Sequence, residues 1–194
     1  MTIDIFKRNP IIAACEVNHL KTAIESAAGS IIYMNGDLNE MVSRTFKNFC
    51  RQKPIFIHMD LLKGLNGDRE SLSFIRKYVG PYGIVTTKSN IIKSAKKEGL
   101  ATIQRVFLID TKSFHNSLEA ISQNKPDCVE IMPAIAPSIV KNYKQSLPIP
   151  IILGGLISEE HQITEAFRHG AAAVSLSKND LWNYKIPEDN RLYC

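Results

Sequence analysis

The apolar run PIPIIL ends in Gly154 and Gly155, and a polar segment opens directly behind it with Ser158, Glu159 and Glu160. Glycine costs a strand both packing and entropy, so a pair at a strand end marks a sharp turn or a close approach. Backbone amides without a Cβ in the way, followed by the start of a helix, suit an anion such as a phosphate. A second polar string, SLSKND, adds the hydroxyls of Ser175 and Ser177 and the backbone around Lys178 and Asn179. A tight turn with no ligand is the structural alternative for the two glycines.

Other strand ends carry charge. In IFIHMDLLKG, alternation puts His58 and Asp60 on one face. Asp60 is suited to accept a hydrogen bond from a ligand hydroxyl, because a carboxylate there is costly without a partner. His58, one layer deeper, either orients that contact or, the reading favoured slightly, is a core histidine satisfied by a neighbouring strand. Arg105 in IQRVF and Glu130 in VEIMP sit on neighbouring strands, where they either pair with each other or contact a ligand. Lys88 in TTKSN faces a ligand or solvent; spacing leaves both open. Cys15, Cys50, Cys128 and Cys194 are scattered with no C-x-x-C pair, which argues against a metal or disulfide framework and for a reduced cytosol. No metal, no cofactor and no catalytic residue is expected.

The elements that must position these residues repeat along the chain. Strand candidates fall at 11–15, 30–35, 54–60, 83–87, 101–107, 128–133, 149–153 and 171–177. Amphipathic stretches such as HLKTAIESAA, LNEMVSRTFKNFCRQ, SLSFIRKYV and EEHQITEAFRHG lie between them. Ser89 and Gly99 bracket one helix, and Ser158 and Gly170 another. Eight strands alternating with helices predict an α/β fold, a compact (β/α)8 TIM-type barrel occupying residues 1–194 as a single domain. In that fold phosphates commonly sit at the loops after strands 7 and 8, where the two glycines and the SLSKND string fall. The longest apolar runs are strand-length, and the N-terminus has no apolar segment behind its charges, so neither a membrane span nor a secretory signal is expected.

The chain carries 24 Lys and Arg against 19 Asp and Glu, a formal charge of +5. That excess is compatible with a phosphate ligand or with nucleic acid and proves neither. Lys93, Lys96 and Lys97 share one side of the helix after strand 4 and are the candidates for contacting RNA phosphates. Lys47 with Arg51, and Lys141 with Lys144, are similar pairs on other helices. No aromatic RNP pair, zinc knuckle or G-x-x-G clamp accompanies them, so spacing alone reads them as solvated outer faces.

The strings HMDLLKGL, GIVTTKSNIIKSAKKEGL, IQRVFLIDT, PDCVEIMPAIAP, IPIILGGLI and AAAVSLSKNDLW occur in that order across most of the chain. Together they resemble the bacterial glycerol uptake operon antiterminator family. The resemblance implies a (β/α)8-like fold that senses glycerol 3-phosphate as effector and acts on the leader mRNA of glycerol catabolism genes, favouring read-through of a terminator. Laid on the barrel geometry, it gives Gly154, Gly155, Ser175 and Ser177 to the phosphate. Asp60, Glu130, Arg105 and Lys88 go to the glycerol moiety. It implies a cytoplasmic protein whose partners are RNA and glycerol 3-phosphate, with self-association into a homo-oligomer left open. Three places depart from the family pattern: the first strand runs into CEVN where a basic residue is more typical, Ala134 stands where glycine is expected, and Leu176 where a small hydroxyl residue is usual, removing a potential phosphate ligand. The alternative function is a small phosphosugar-binding barrel enzyme of isomerase, epimerase or aldolase type, with Asp60 and Glu130 as an acid–base pair.

Overall fold

The computed structural model describes residues 5–6 and 9–187. Its centre is a closed, all-parallel barrel in sequence order, with β8 returning to pair with β1. The strands are β1 (Ile11–Cys15), β2 (Ser30–Tyr33), β3 (Ile55–His58), β4 (Gly83–Thr86), β5 (Ala101–Phe107), β6 (Cys128–Met132), β7 (Ile151–Gly154) and β8 (Ala173–Leu176). All eight expected strands are present, several of them shorter at one or both ends. Strand 3 stops at His58 because Met59–Leu61 turn into a short 3-10 segment that carries Asp60 sideways across the mouth.

Parallel strands wrapped by helices are buried on both faces, which is why they read as continuous apolar runs. Ile12, Ile32, Phe56, Val85, Ile103 and Ile152 form a core inside the barrel. Residues one position along, such as Ile31, Ile57, Ile84 and Leu153, pack outward against the helices.

The helices are α1 (Val17–Glu25), α2 (Leu38–Met41), α3 (Arg44–Gln52), α4 (Arg69–Phe74), α5 (Ser89–Lys97), α6 (Thr111–Asn124), α7 (Ile139–Ser146) and α8 (Glu160–Arg168). The stretch LNEMVSRTFKNFCRQ, expected as one helix, divides at Ser43. The Ser43 hydroxyl accepts from Phe46 N–H at 3.1 Å and starts α3 afresh, while Asp37 caps α2 through Glu40 N–H at 2.9 Å. Helix α4 widens into a π-helical turn, Ile75–Val79, which ends at Gly80 with φ of +75°. Such widened turns leave the regular hydrogen-bond ladder by one residue. No helix among the described residues is long and apolar enough to cross a membrane.

Candidate ligand site at the mouth of the barrel

Arg105 and Glu130 are register partners on β5 and β6, and both point into the barrel. Their side chains are 6% and 0% exposed, and Arg105 Nε lies 2.6 Å from Glu130 Oε2. The other carboxylate oxygen, Oε1, accepts from the Ser175 hydroxyl on β8 at 2.5 Å. Two buried charges are tolerated when each is paired and its remaining capacity is used. Glu130 meets that condition and Arg105 does not: its Nη2 is buried with no hydrogen-bond partner among the described residues.

His58 lies in the same interior. It is 4% exposed, and its Nδ1 also lacks a partner. It is buried as alternation required, but no neighbouring strand satisfies it. Burial first, and then the positive charge of Arg105, hold its pKa below the ordinary 6.5, against the opposing pull of Asp60 and Glu130. The imidazole is therefore neutral at neutral pH. An unpaired buried polar group costs about 1–3 kcal/mol. Two such nitrogens in one interior mark a place where a hydroxyl-rich ligand, able to donate and accept, would supply the missing partners.

Gly154 is the register partner of Ser175, and its backbone packs directly on this cluster. A Cβ there would stand 2.1 Å from Ser175 Oγ and 3.0 Å from Glu130 Oε1. Its missing side chain thus makes room for the Ser175–Glu130 hydrogen bond. Gly155 answers the turn instead: its φ is +77°, and its carbonyl accepts from Ala134 N–H at 3.1 Å. Leu156 continues in the left-handed region at φ of +61° with its side chain 71% exposed. The loops after β7 and β8 are tied together by Lys178, whose Nζ donates to the Ser158 carbonyl at 2.9 Å. Ser177 is exposed beside it. At the start of α8, Ser158 and Glu159 N–H both donate to Gln162 Oε1, at 2.7 and 3.0 Å, so the helix closes these two amides itself.

Across the barrel, Asp60 is fully engaged. Its Oδ1 accepts from the Thr86 hydroxyl at 2.6 Å, and its Oδ2 from Thr87 N–H at 2.7 Å and the Thr87 hydroxyl at 2.9 Å. Burial raises the Asp60 pKa, but the hydrogen bonds from Thr86 and Thr87 together outweigh it and hold the carboxyl below its ordinary value. Lys88 follows at the surface with its side chain exposed, and its N–H donates to the Thr86 hydroxyl at 3.1 Å.

Of the eight mouth residues singled out in the sequence, Gly154, Ser175, Arg105 and Glu130 therefore form one buried cluster. Gly155 and Ser177 sit above it in the loops, and Asp60 with Lys88 belong to the opposite corner. The unpartnered His58 Nδ1 and the Lys178 ammonium contact are the features that sequence reasoning did not foresee. Alternation located the His58 ring, but only the three-dimensional neighbours reveal that it lacks a partner. Leu176 corrects an expectation. It alternates outward from Ser175 into the layer between barrel and helices, and its carbonyl accepts from the buried Trp182 Nε1 at 2.9 Å. A hydroxyl at that position would face the core, so the leucine removes no phosphate ligand. Among the described residues no group of three or more His, Cys, Asp or Glu is placed to hold a metal ion.

The basic candidates on α5 are exposed. Lys96 is engaged, donating to the Lys125 carbonyl and standing 3.7 Å from Asp127 Oδ1.

Comparison with known proteins supplies the family. A family model described as glycerol-3-phosphate responsive antiterminator matches residues 11–182. An uncharacterized protein of Escherichia coli K12, YgcP, is 32% identical over 181 residues, covering 93% of this chain and 95% of that protein. The crystal structure of a glycerol uptake operon antiterminator regulatory protein from Listeria monocytogenes superposes with a TM-score of 0.84 at 30% identity, covering 91% of this chain and 96% of that one. A glycerol uptake operon antiterminator-related protein from Thermotoga maritima gives 0.77 at 27% identity, with 90% and 98% covered.

Proposed function

Because the chain belongs to the glycerol-3-phosphate responsive antiterminator family, we propose that it binds glycerol 3-phosphate at the barrel mouth and, so loaded, acts on the leader mRNA of glycerol catabolism genes. The observation that carries the ligand site is the buried Arg105 guanidinium, paired through Nε and left open at Nη2. The phosphate is received by the loops after β7 and β8, around Gly155, Ser177 and Lys178. The glycerol hydroxyls reach inward to Arg105 Nη2 and His58 Nδ1, with Glu130 and Ser175 holding the guanidinium in place. A small polyol phosphate matches this arrangement, with an anionic head at a loop rim that carries an ammonium and hydroxyls over a buried fork of donors. Asp60 and Lys88 bound the opposite rim.

The protein works as a regulator rather than an enzyme. Glu130, the interior carboxylate, has both oxygens engaged by Arg105 and Ser175 and so is a poor general base. Effector binding can change RNA affinity only if the two protein states bind the effector differently. A loop pair tied by a single lysine–carbonyl contact over unsatisfied donors is such an element. The setting for this activity is the cytoplasm, where both the transcript and the phosphorylated effector are found.

Binding of a labelled leader transcript of a glycerol catabolism operon, with and without glycerol 3-phosphate across a salt series, tests the reading. Tighter binding with effector, weakening as salt rises, supports it. Equal RNA binding with and without effector removes the gating, and turnover of a three-carbon phosphate would return the protein to the barrel enzymes.

A further inference from the structure

We infer that the outer face built from α3 and the π-helical turn is the surface that receives RNA, as a single-stranded segment. The inference rests on the RNA-acting reading above and adds to it the place of contact. Arg44, Lys47 and Arg51 recur at three- and four-residue spacings along α3, which puts them on one face. Arg76 and Lys77 lie on the π-helical turn. Two surface grooves meet there. One, of about 380 Å³, is lined by Arg44, Lys47, Asn48 and Arg51. The other, of about 330 Å³, is lined by Lys47, Arg51, Lys77 and Tyr78. They share Lys47 and Arg51 as a common wall, and no Asp or Glu lines either of them.

The charge here is unspent. Several basic side chains elsewhere meet acids: Arg69 with Glu98, Lys96 with Asp127, Arg168 with Glu165. None of the five basic residues of α3 and the π-helical turn makes an ion pair among the described residues. Four of them, Arg44, Lys47, Arg51 and Lys77, line the two grooves, a cluster of positive charge with no acid among the lining residues. A net charge gathered on one face, instead of being spread, is the footprint of a polyanion partner.

The aromatic component decides which polyanion. Tyr78 is 50% exposed at the groove wall, backed by Phe74 at 4.9 Å between ring centroids and with Lys77 Nζ 5.1 Å from its own ring centroid. An exposed ring inside a cationic groove is a stacking platform for an unpaired base. A paired duplex keeps its bases stacked on each other and offers the ring nothing, whereas an RNA loop or linker does.

The test uses the full chain, saturated with glycerol 3-phosphate, and fluorescence anisotropy of the labelled leader transcript at several salt concentrations. K47Q/R51Q and, separately, R44Q/K77Q should each weaken binding about tenfold and flatten the logarithmic salt slope by about 1.4, from roughly 0.7 per lost single-strand phosphate contact. Tyr78→Ala should weaken binding about tenfold with the slope unchanged, as loss of stacking requires. Thermal stabilisation by glycerol 3-phosphate should persist in all three variants, because the groove lies outside the barrel and the effector site inside it. A larger loss in K93Q/K97Q than in either double variant would move the surface to α5, overturning the inference and leaving the RNA reading intact. Equal binding of a DNA duplex of the same length would reduce the groove to a general polyanion patch and overturn it as well. No binding of the transcript by the unmodified protein at any salt would bring down the RNA reading and the inference with it.

Discussion

Two corners of the barrel mouth hold a carboxylate, half-buried at Asp60 and fully buried at Glu130, and they are finished differently. At β3–β4, Asp60 accepts three hydrogen bonds from Thr86 and Thr87, and both of its oxygens are engaged. At β5–β6–β8, Glu130 is satisfied by Arg105 and Ser175, yet Arg105 Nη2 is stranded, as is Nδ1 of His58, which enters the same interior from β3. A saturated cluster locks two strand ends together and gains little from a ligand. An unsatisfied one holds a cost that a ligand can remove. The contrast separates residue types that look alike in the sequence: one acidic residue near a strand end is a fastener, and the other anchors a guanidinium for something else to use.

The largest break in this contrast comes from Glu130→Ala. It leaves the Arg105 charge buried with no counterion and should lower unfolding free energy by about 3–5 kcal/mol in urea denaturation. A loss below about 1 kcal/mol would mean that water reaches the guanidinium. Next is Gly154→Ala, whose Cβ would press on Ser175 Oγ at 2.1 Å. Overpacking of this kind costs about 1–3 kcal/mol, and displacement of the serine should abolish the thermal response to glycerol 3-phosphate. A normal response in that variant would uncouple the cluster from the effector.

Asp60→Asn should cost about 1 kcal/mol at neutral pH, the worth of weakened hydrogen bonds, and change effector affinity less than Arg105 variants do. The Asp60 carboxyl is held below its ordinary 3.8, so its contribution is complete above that value and is lost as pH falls through the lower folded value. The gap between wild type and Asp60→Asn should accordingly close in acid, as followed by denaturation at successive pH values. The smallest effect is at His58. Its folded pKa lies below 6.5, so the unfolded chain binds the proton first and stability falls as pH drops from about 6.5 towards the folded value. His58→Gln should remove that part of the slope, and an unchanged slope would show that the imidazole is not what titrates.

Much of the fold was legible because parallel strands buried on both faces announce themselves as apolar runs with polar punctuation. That Arg105 and Glu130 sit on neighbouring strands, and Ser175 near the end of the eighth, followed from the order of the apolar runs. What escaped depends on register between strands distant in sequence. The reason Gly154 must be glycine lies on β8, in Ser175, and nothing in its own neighbourhood on the chain carries that information. The partners of Asp60 come from the next strand, 26 residues on for Thr86. Leu176 was misread because the strand end was counted without its facing, and the break at Ser43 was hidden by an apolar pattern that runs through it. The basic residues were grouped by their spacing along each helix. Their acidic neighbours, which engage Lys96 and leave Lys47 and Arg51 open, appear only in three dimensions.

The most direct test of the effector site is calorimetric titration of glycerol 3-phosphate into the wild-type protein and into Arg105→Lys. Lysine keeps the charge beside Glu130 but lacks the second arm of the fork, so the account predicts at least about a tenfold loss of affinity in a variant that remains folded. Affinity unchanged in Arg105→Lys would contradict it and show that the open guanidinium nitrogen takes no part in holding the effector.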